Sequence, residues 1–94
     1  MCDVMEMSQE TLGDVVTRLR RVQGQIGGVV HMIEDGRDCK DVVTQLAAAS
    51  RALDRAAYKI IVAGLAQCVE EERSGSRQAV ADRDALEKLF LALA

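Results

Sequence analysis

The chain has 94 residues, 12 Lys and Arg against 15 Asp and Glu, no Pro, one Phe and one Tyr. So short a chain makes one small domain of marginal stability alone, and its wealth of Ala, Val, Leu, Arg and Glu points to an all-α protein and excludes a sheet. The longest apolar run, Ile60 to Ala66, is far too short to cross a bilayer, and Asp3 and Glu6 stand where a signal peptide is basic, so a cytoplasmic protein with no membrane partner is expected.

Met1 to Met7 carries no periodic pattern and is expected to be a flexible arm, with residues 1–8 lying outside the helices and Cys2 inside that arm. Ser8 is a good N-cap. After it Leu12, Val15, Val16, Leu19, Val22, Ile26, Val29, Val30 and Ile33 form a helical stripe, which predicts a first helix over residues 9–34. Gly24, Gly27 and Gly28 each cost up to about 1 kcal/mol inside a helix, so another helix is expected to pass close to them. Asp35-Gly36-Arg37-Asp38 breaks the pattern, with Gly36 suited to a left-handed position and Asp38 to the next N-cap. The short turn predicts an antiparallel hairpin with a second helix over 39–72. Arg73-Ser74-Gly75-Ser76 is a second break, followed by a third helix with Val80, Leu86, Leu89, Phe90 and Leu93, starting at Arg77 or at Asp84 with Asp82 as its cap. The whole chain, 1–94, reads as a single domain.

The second helix organises the rest. Val42, Leu46, Ala49, Leu53, Ala56, Ile60 and Ala63 recur at spacings of four and three, an apolar seam made for another helix, and Cys39 begins it. The 29 residues from Cys39 to Cys68 amount to about eight turns, so both thiols share a face while lying roughly 43 Å apart. They cannot meet within one chain. If the seam packs on its own copy in an antiparallel two-fold pair, Cys39 lands beside Cys68 of the partner subunit, twice per homodimer. Cys39 sits in the first helical turn between Arg37 and Lys40, surroundings that favour a thiolate nucleophile. Cys68, beside Glu70, Glu71 and Glu72, reads as the resolving partner. Three cysteines in a cytosolic chain point to metal or redox chemistry, although the same pair would also serve as small buried hydrophobes.

Net charge is −3, yet residues 17–59 hold eight basic side chains against five acidic ones. Arg51, Arg55 and Lys59 follow at steps of four and form a ridge facing away from the seam. With Arg18, Arg21 and Gln25 on the first helix, that ridge suits a DNA backbone, the alternative being a merely solvated face. The lone His31 is expected at the surface. No Ser/His/Asp set, paired carboxylates or glycine-rich phosphate loop is present, so an enzyme is not expected, and helix-turn-helix spacing is missing.

The run Arg18-Leu19-Arg20-Arg21-Val22-Gln23-Gly24-Gln25-Ile26-Gly27-Gly28, with Cys39, Gln45, Leu53, Arg55 and Cys68, resembles the CsoR/RcnR family of bacterial transcriptional repressors over residues 12–72. The resemblance implies three helices per protomer, a four-helix-bundle antiparallel dimer and a disc-shaped dimer of dimers. It also implies operator double-stranded DNA as partner, release of that DNA when an inducer occupies the cysteine site, and DNA contacts carried over to Arg18 and Arg55. Copper sensors of the family hold Cu(I) with a Cys, His, Cys set whose His precedes the second cysteine by four residues; that position here is Gly64. Asp38 stands where some of them have a tyrosine. Two cysteines without the imidazole resemble the persulfide-sensing, CstR-like branch, which implies no cofactor and small sulfane-sulfur donors as inducers. The alternative is a Cu(I) sensor coordinating through Cys39 and Cys68 alone or with Cys2 as a third ligand. A helical interaction protein without DNA is a third reading.

Overall fold

The computed structural model describes residues 7–93 and shows three helices joined by tight turns: α1 (Gln9–Glu34), α2 (Cys39–Arg73) and α3 (Arg77–Leu93). No strand occurs among the described residues. Each helix starts where its capping side chain dictates. Ser8 Oγ accepts from the Thr11 N–H at 3.1 Å, and an Asp38 carboxylate oxygen accepts from the Lys40 N–H at 3.2 Å. For α3 the start is Arg77, because Ser76 Oγ accepts from the Ala79 N–H at 3.2 Å. Gly36 and Gly75 end α1 and α2 with φ of 69° and 91°, backbone that side-chain-bearing residues adopt only with strain. The second helix runs one residue past the predicted Glu72.

α2 is the shared element, packed on one side by α1 and on another by α3. In the hairpin, Val15, Val22 and Val29 of α1 are buried at steps of seven, as are Ala49 and Ala56 of α2. A valine stripe meeting an alanine stripe lets the axes approach closely. At 100° per residue the rest of each helix sorts around these stripes. Asp14, Arg18, Arg21 and Gln25 flank the valine stripe on one side, while Val16, Leu19, Ile26, Val30 and Ile33 flank it on the other. On α2, Arg51, Arg55 and Lys59 lie on the polar side, and Cys39, Val43, Leu46 and Leu53 on the apolar side. Because the helices are antiparallel, the two polar flanks fall on one surface of the hairpin and the two apolar flanks on the opposite one.

The apolar surface is only half covered. Gly64 lies 18 residues, five whole turns, beyond Leu46, so the face that carries Cys39, Leu46 and Leu53 continues as Ile61, Gly64 and Cys68. There α3 and Met7 cover it, and Ile61, Gly64 and Cys68 are buried. Towards the N-terminus of α2 it is bare: Leu46 and Leu53 are 46% and 48% exposed, and Ile33 and Val43 more so. The rings of Tyr58 and Phe90 meet at 5.2 Å between centroids, tilted by 56°, and Arg83 Nη1 lies 3.0 Å from both carboxylate oxygens of Glu72, fixing α3 to α2. The protomer is a plate of 57 × 26 × 13 Å with a radius of gyration of 17.0 Å, against about 12 Å for a compact domain of this length.

Three expectations need correction. Gly24, Gly27 and Gly28 meet no other helix in the protomer: a Cβ on any of them would find nothing within 4 Å. The reason is rotational, since Gly24 and Gly27 stand about 200° around α1 from Val22 and Val29 respectively. Met7 belongs to no free arm, being buried with its Cε beside Gly64; residues 1–6, Cys2 among them, lie outside the described residues. The seam of α2 is also shared out differently, with Ala49 and Ala56 taken by α1 of the same chain and Leu46 and Leu53 left open.

Candidate nucleic-acid interface and sensor thiols

The polar surface of the hairpin gathers the predicted basic residues from both helices. Arg21, Arg51 and Arg55 are exposed, as the outward ridge requires. Lys59 departs from the ridge: it stands only 60° around α2 from Ala56, next to the α1 contact, and its Nζ reaches Asp14 Oδ2 at 2.7 Å. Arg18 Nε donates to the same oxygen at 3.3 Å. The Lys59 hydrogen bond and, after it, the Arg18 guanidinium hold the Asp14 carboxyl below its ordinary value of 3.8, against a partial desolvation that works the other way. Gln25 is half-buried with an Oε1 that has no hydrogen-bond partner, so that oxygen faces the hairpin rather than a ligand outside it. Asp14 was not legible as part of this surface. Its signal was the i, i+4 spacing to Arg18, which is too common to single out.

Below Asp14 the same surface opens into a groove of about 690 Å³ lined by Glu10, Thr11, Asp14, Tyr58, Lys59, Val62, Ala63 and Ala66. His31 is exposed at the far end of α1, its Nδ1 3.8 Å from Glu34, in keeping with a surface role.

The two cysteines of α2 have opposite surroundings. Cys39 is exposed at the edge of a small apolar depression formed with Ile33, Arg37, Val42 and Val43. Arg37 is turned towards Asp41, Nη2 to Oδ2 3.8 Å. Cys68 has no exposed surface, and its sulfur is in a disulfide. Both stand on one continuous helix, 29 residues apart, and any encounter between Cys39 and Cys68 is therefore between chains.

Gly64, one turn before Cys68, faces the tips of two flexible side chains, and the nearer must shift before a side chain fits there. A Cβ there would lie 3.0 Å from Leu86 Cδ1 and 3.9 Å from Met7 Cε. Among the described residues no group of three His, Cys, Asp or Glu side chains is placed to hold a metal ion. The described residues of one protomer thus do not by themselves fit a three-ligand metal site.

The described residues thus form an all-helical plate with a basic surface, a half-open apolar surface and a cysteine towards each end of its central helix. The chain belongs to the metal-sensitive transcriptional repressor family, the CsoR/RcnR family, whose sequence pattern matches residues 12–93. Over 52 residues it is 44% identical to the copper-sensing transcriptional repressor RicR of Mycobacterium tuberculosis, a stretch covering 55% of this chain and 54% of that protein. It is 29% identical over 64 residues to the copper-sensing transcriptional repressor CsoR of Bacillus subtilis, covering 68% of this chain and 63% of the other. These matches span about half to two thirds of the relatives' length. The nickel-responsive transcriptional regulator InrS has the same fold, with a TM-score of 0.77 and 33% identity over 90% of this chain and 98% of that one.

Proposed function

We propose that this protein is a DNA-binding transcriptional repressor, working as a homodimer and homotetramer, that senses sulfane sulfur through Cys39 and Cys68 and releases its operator when they are modified. The observation that carries the sensing half is the packing at Gly64. Where an imidazole would complete a Cys, His, Cys site stands a glycine covered by Leu86 and Met7, so the chemistry available at this pair is that of two thiols. The DNA half is supported by family membership and by the basic surface formed by Arg18, Arg21, Arg51 and Arg55. Self-association is supported by the bare apolar surface around Leu46 and Leu53, which a second antiparallel copy would cover while leaving the basic surface free.

The chemistry starts from protein with both thiols reduced. Cys39 thiolate attacks the terminal sulfur of a low-molecular-weight persulfide, breaking its S–S bond and releasing the donor's thiolate, which leaves Cys39 as a persulfide. Cys68 thiolate of the partner subunit then attacks the sulfur bound to carbon in that persulfide, expelling hydrosulfide and forming a Cys39–Cys68 disulfide. A Cys39 carrying one more sulfur gives the trisulfide by the same expulsion. Cys68 is fully buried one turn beyond the contact of Gly64 with Leu86 and Met7, so the crosslink disturbs that packing, and the disturbance couples the sulfur site to the DNA surface.

A second reading, Cu(I) held by the two thiolates, is favoured by the likeness to RicR and CsoR, which are named as copper-sensing. Nickel, which InrS answers to by name, suits nitrogen ligands, and the only histidine here is His31 at the surface. One experiment separates them. Reduced protein is treated with polysulfide, or with Cu(I) under a competing chelator, and intact mass and binding to DNA from upstream of its own gene are followed. Sulfur mass gain with an interchain Cys39–Cys68 crosslink and loss of DNA is expected; tight Cu(I) uptake that alone releases DNA overturns the sulfur reading. Arg18→Ala and Arg55→Ala should each lower affinity and reduce the salt slope by up to about 0.9.

A further inference from the structure

The contact between Asp14, Arg18 and Lys59 brings a cation from each helix of the hairpin onto a single carboxylate oxygen. Lys59 Nζ is 2.7 Å and Arg18 Nε 3.3 Å from Asp14 Oδ2, which places the two nitrogens no more than 6.0 Å from each other. Two like charges so close repel unless an anion stands between them. All three side chains are more than a third exposed, so solvent and a ligand reach them. Among the described residues nothing else engages Arg18 Nη1 or Nη2, and these two donors are those that bind a phosphate in forked geometry. Exposed ion pairs contribute little to folding, so stability does not account for an acidic residue at the centre of a basic surface.

We infer that Asp14 is an internal stand-in for a DNA phosphate: its carboxylate fills the place between Arg18 and Lys59 that a backbone phosphate oxygen takes in the complex, and thereby limits affinity. The inference rests on the DNA-binding reading above and deepens it by pairing Arg18 with Lys59 on one phosphate. When DNA arrives, the carboxylate must give up both cations, so each counts for less than a free one. A repressor that has to let go of its operator gains from this ceiling, since affinity that is too high cannot be reversed by a modest coupling.

The test measures binding of the reduced full chain to a mixed-sequence DNA duplex over a series of salt concentrations. Asp14→Asn is expected to tighten binding about threefold to tenfold and to steepen the salt slope by up to about 0.9 for each cation released. Asp14→Glu keeps the anion and should bind as the unaltered protein does, and adding Lys59→Ala to Asp14→Asn should cancel most of the gain. Glu10→Gln removes an equal charge one turn away, from a residue bridged to neither cation, and should leave the slope unchanged. Unchanged or weaker binding by Asp14→Asn, or the same gain from Glu10→Gln, overturns the inference while a weakening by Arg18→Ala keeps the interface intact. If Arg18→Ala and Arg55→Ala also change nothing, the DNA surface itself is misplaced and the inference falls with it.

Discussion

Leu86 of α3 occupies the space into which a side chain on Gly64 of α2 would project, with its Cδ1 3.0 Å from where the Cβ would stand. This contact seats α3 over the end of α2 that carries Cys68. Gly64→Ala adds a methyl against the tip of a flexible side chain while relieving the helix penalty of glycine, about 1 kcal/mol, so its net effect on unfolding free energy should be within about 1 kcal/mol of zero. Gly64→His should destabilise by about 1–3 kcal/mol through overpacking, and Leu86→Ala in the same chain should restore part of the loss. Urea unfolding of the four proteins checks both signs.

Leu46 and Leu53 stand in the open half of the same α2 face. Burying a leucine is worth about 1.5–3 kcal/mol, and in a two-fold dimer each enters twice. Leu53→Asp is therefore expected to raise the dissociation constant of the oligomer by at least about a hundredfold, with helix content retained in the monomer. Sedimentation equilibrium together with circular dichroism reads both quantities. An unchanged association constant would place the interface elsewhere.

The two thiols should react at very different rates. Cys39 is exposed and Cys68 has no exposed surface, so after reduction iodoacetamide should alkylate Cys39 first by a factor of at least about a hundred, the protection of Cys68 reflecting opening of the α3 cover. Arg83→Ala removes the contact to Glu72 and should speed alkylation of Cys68 severalfold while leaving Cys39 unaffected. Mass spectrometry of timed samples distinguishes the sites.

Asp14 also predicts a pH dependence. Its folded-state pKa lies below the ordinary 3.8, so its contribution to stability is present in full above that value and is lost as pH falls through the lower folded-state value. The stability difference between the unaltered protein and Asp14→Asn should therefore be constant from neutral pH down to about 5 and shrink below about 4. Thermal unfolding as a function of pH tests this; a difference that grows on acidification contradicts it.

Much of the architecture was legible from local chemistry. Ser8 and Asp38 cap the helices they were expected to cap, and Gly36 turns the chain, because a cap or turn depends on residues two or three positions away. The third helix offered two starts, and Ser76 decided between them by accepting from Ala79. The basic surface was visible as a spacing of four, but the ion pair of Lys59 with Asp14 within it was not. The reach of Lys59 to Asp14 depends on how the two helices are set against each other, which helical periodicity does not encode. The glycines of α1 misled for a similar reason: their cost is local, whereas a packing explanation requires a neighbour that the protomer does not supply.

By itself the sequence determined three helices, their ends apart from the start of α3, and the division of the hairpin into a basic and an apolar surface, since these follow from caps and from the angle each residue advances around its own helix. Only the tertiary structure decided that α3 and Met7 close over Gly64, with Cys68 buried one turn beyond, while Leu46 and Leu53 stay bare, and that Asp14 meets Lys59 across 45 residues of chain. The direction α3 takes after Gly75 and the register of α1 on α2 are set by the fit of whole surfaces, and no short stretch of residues carries that information.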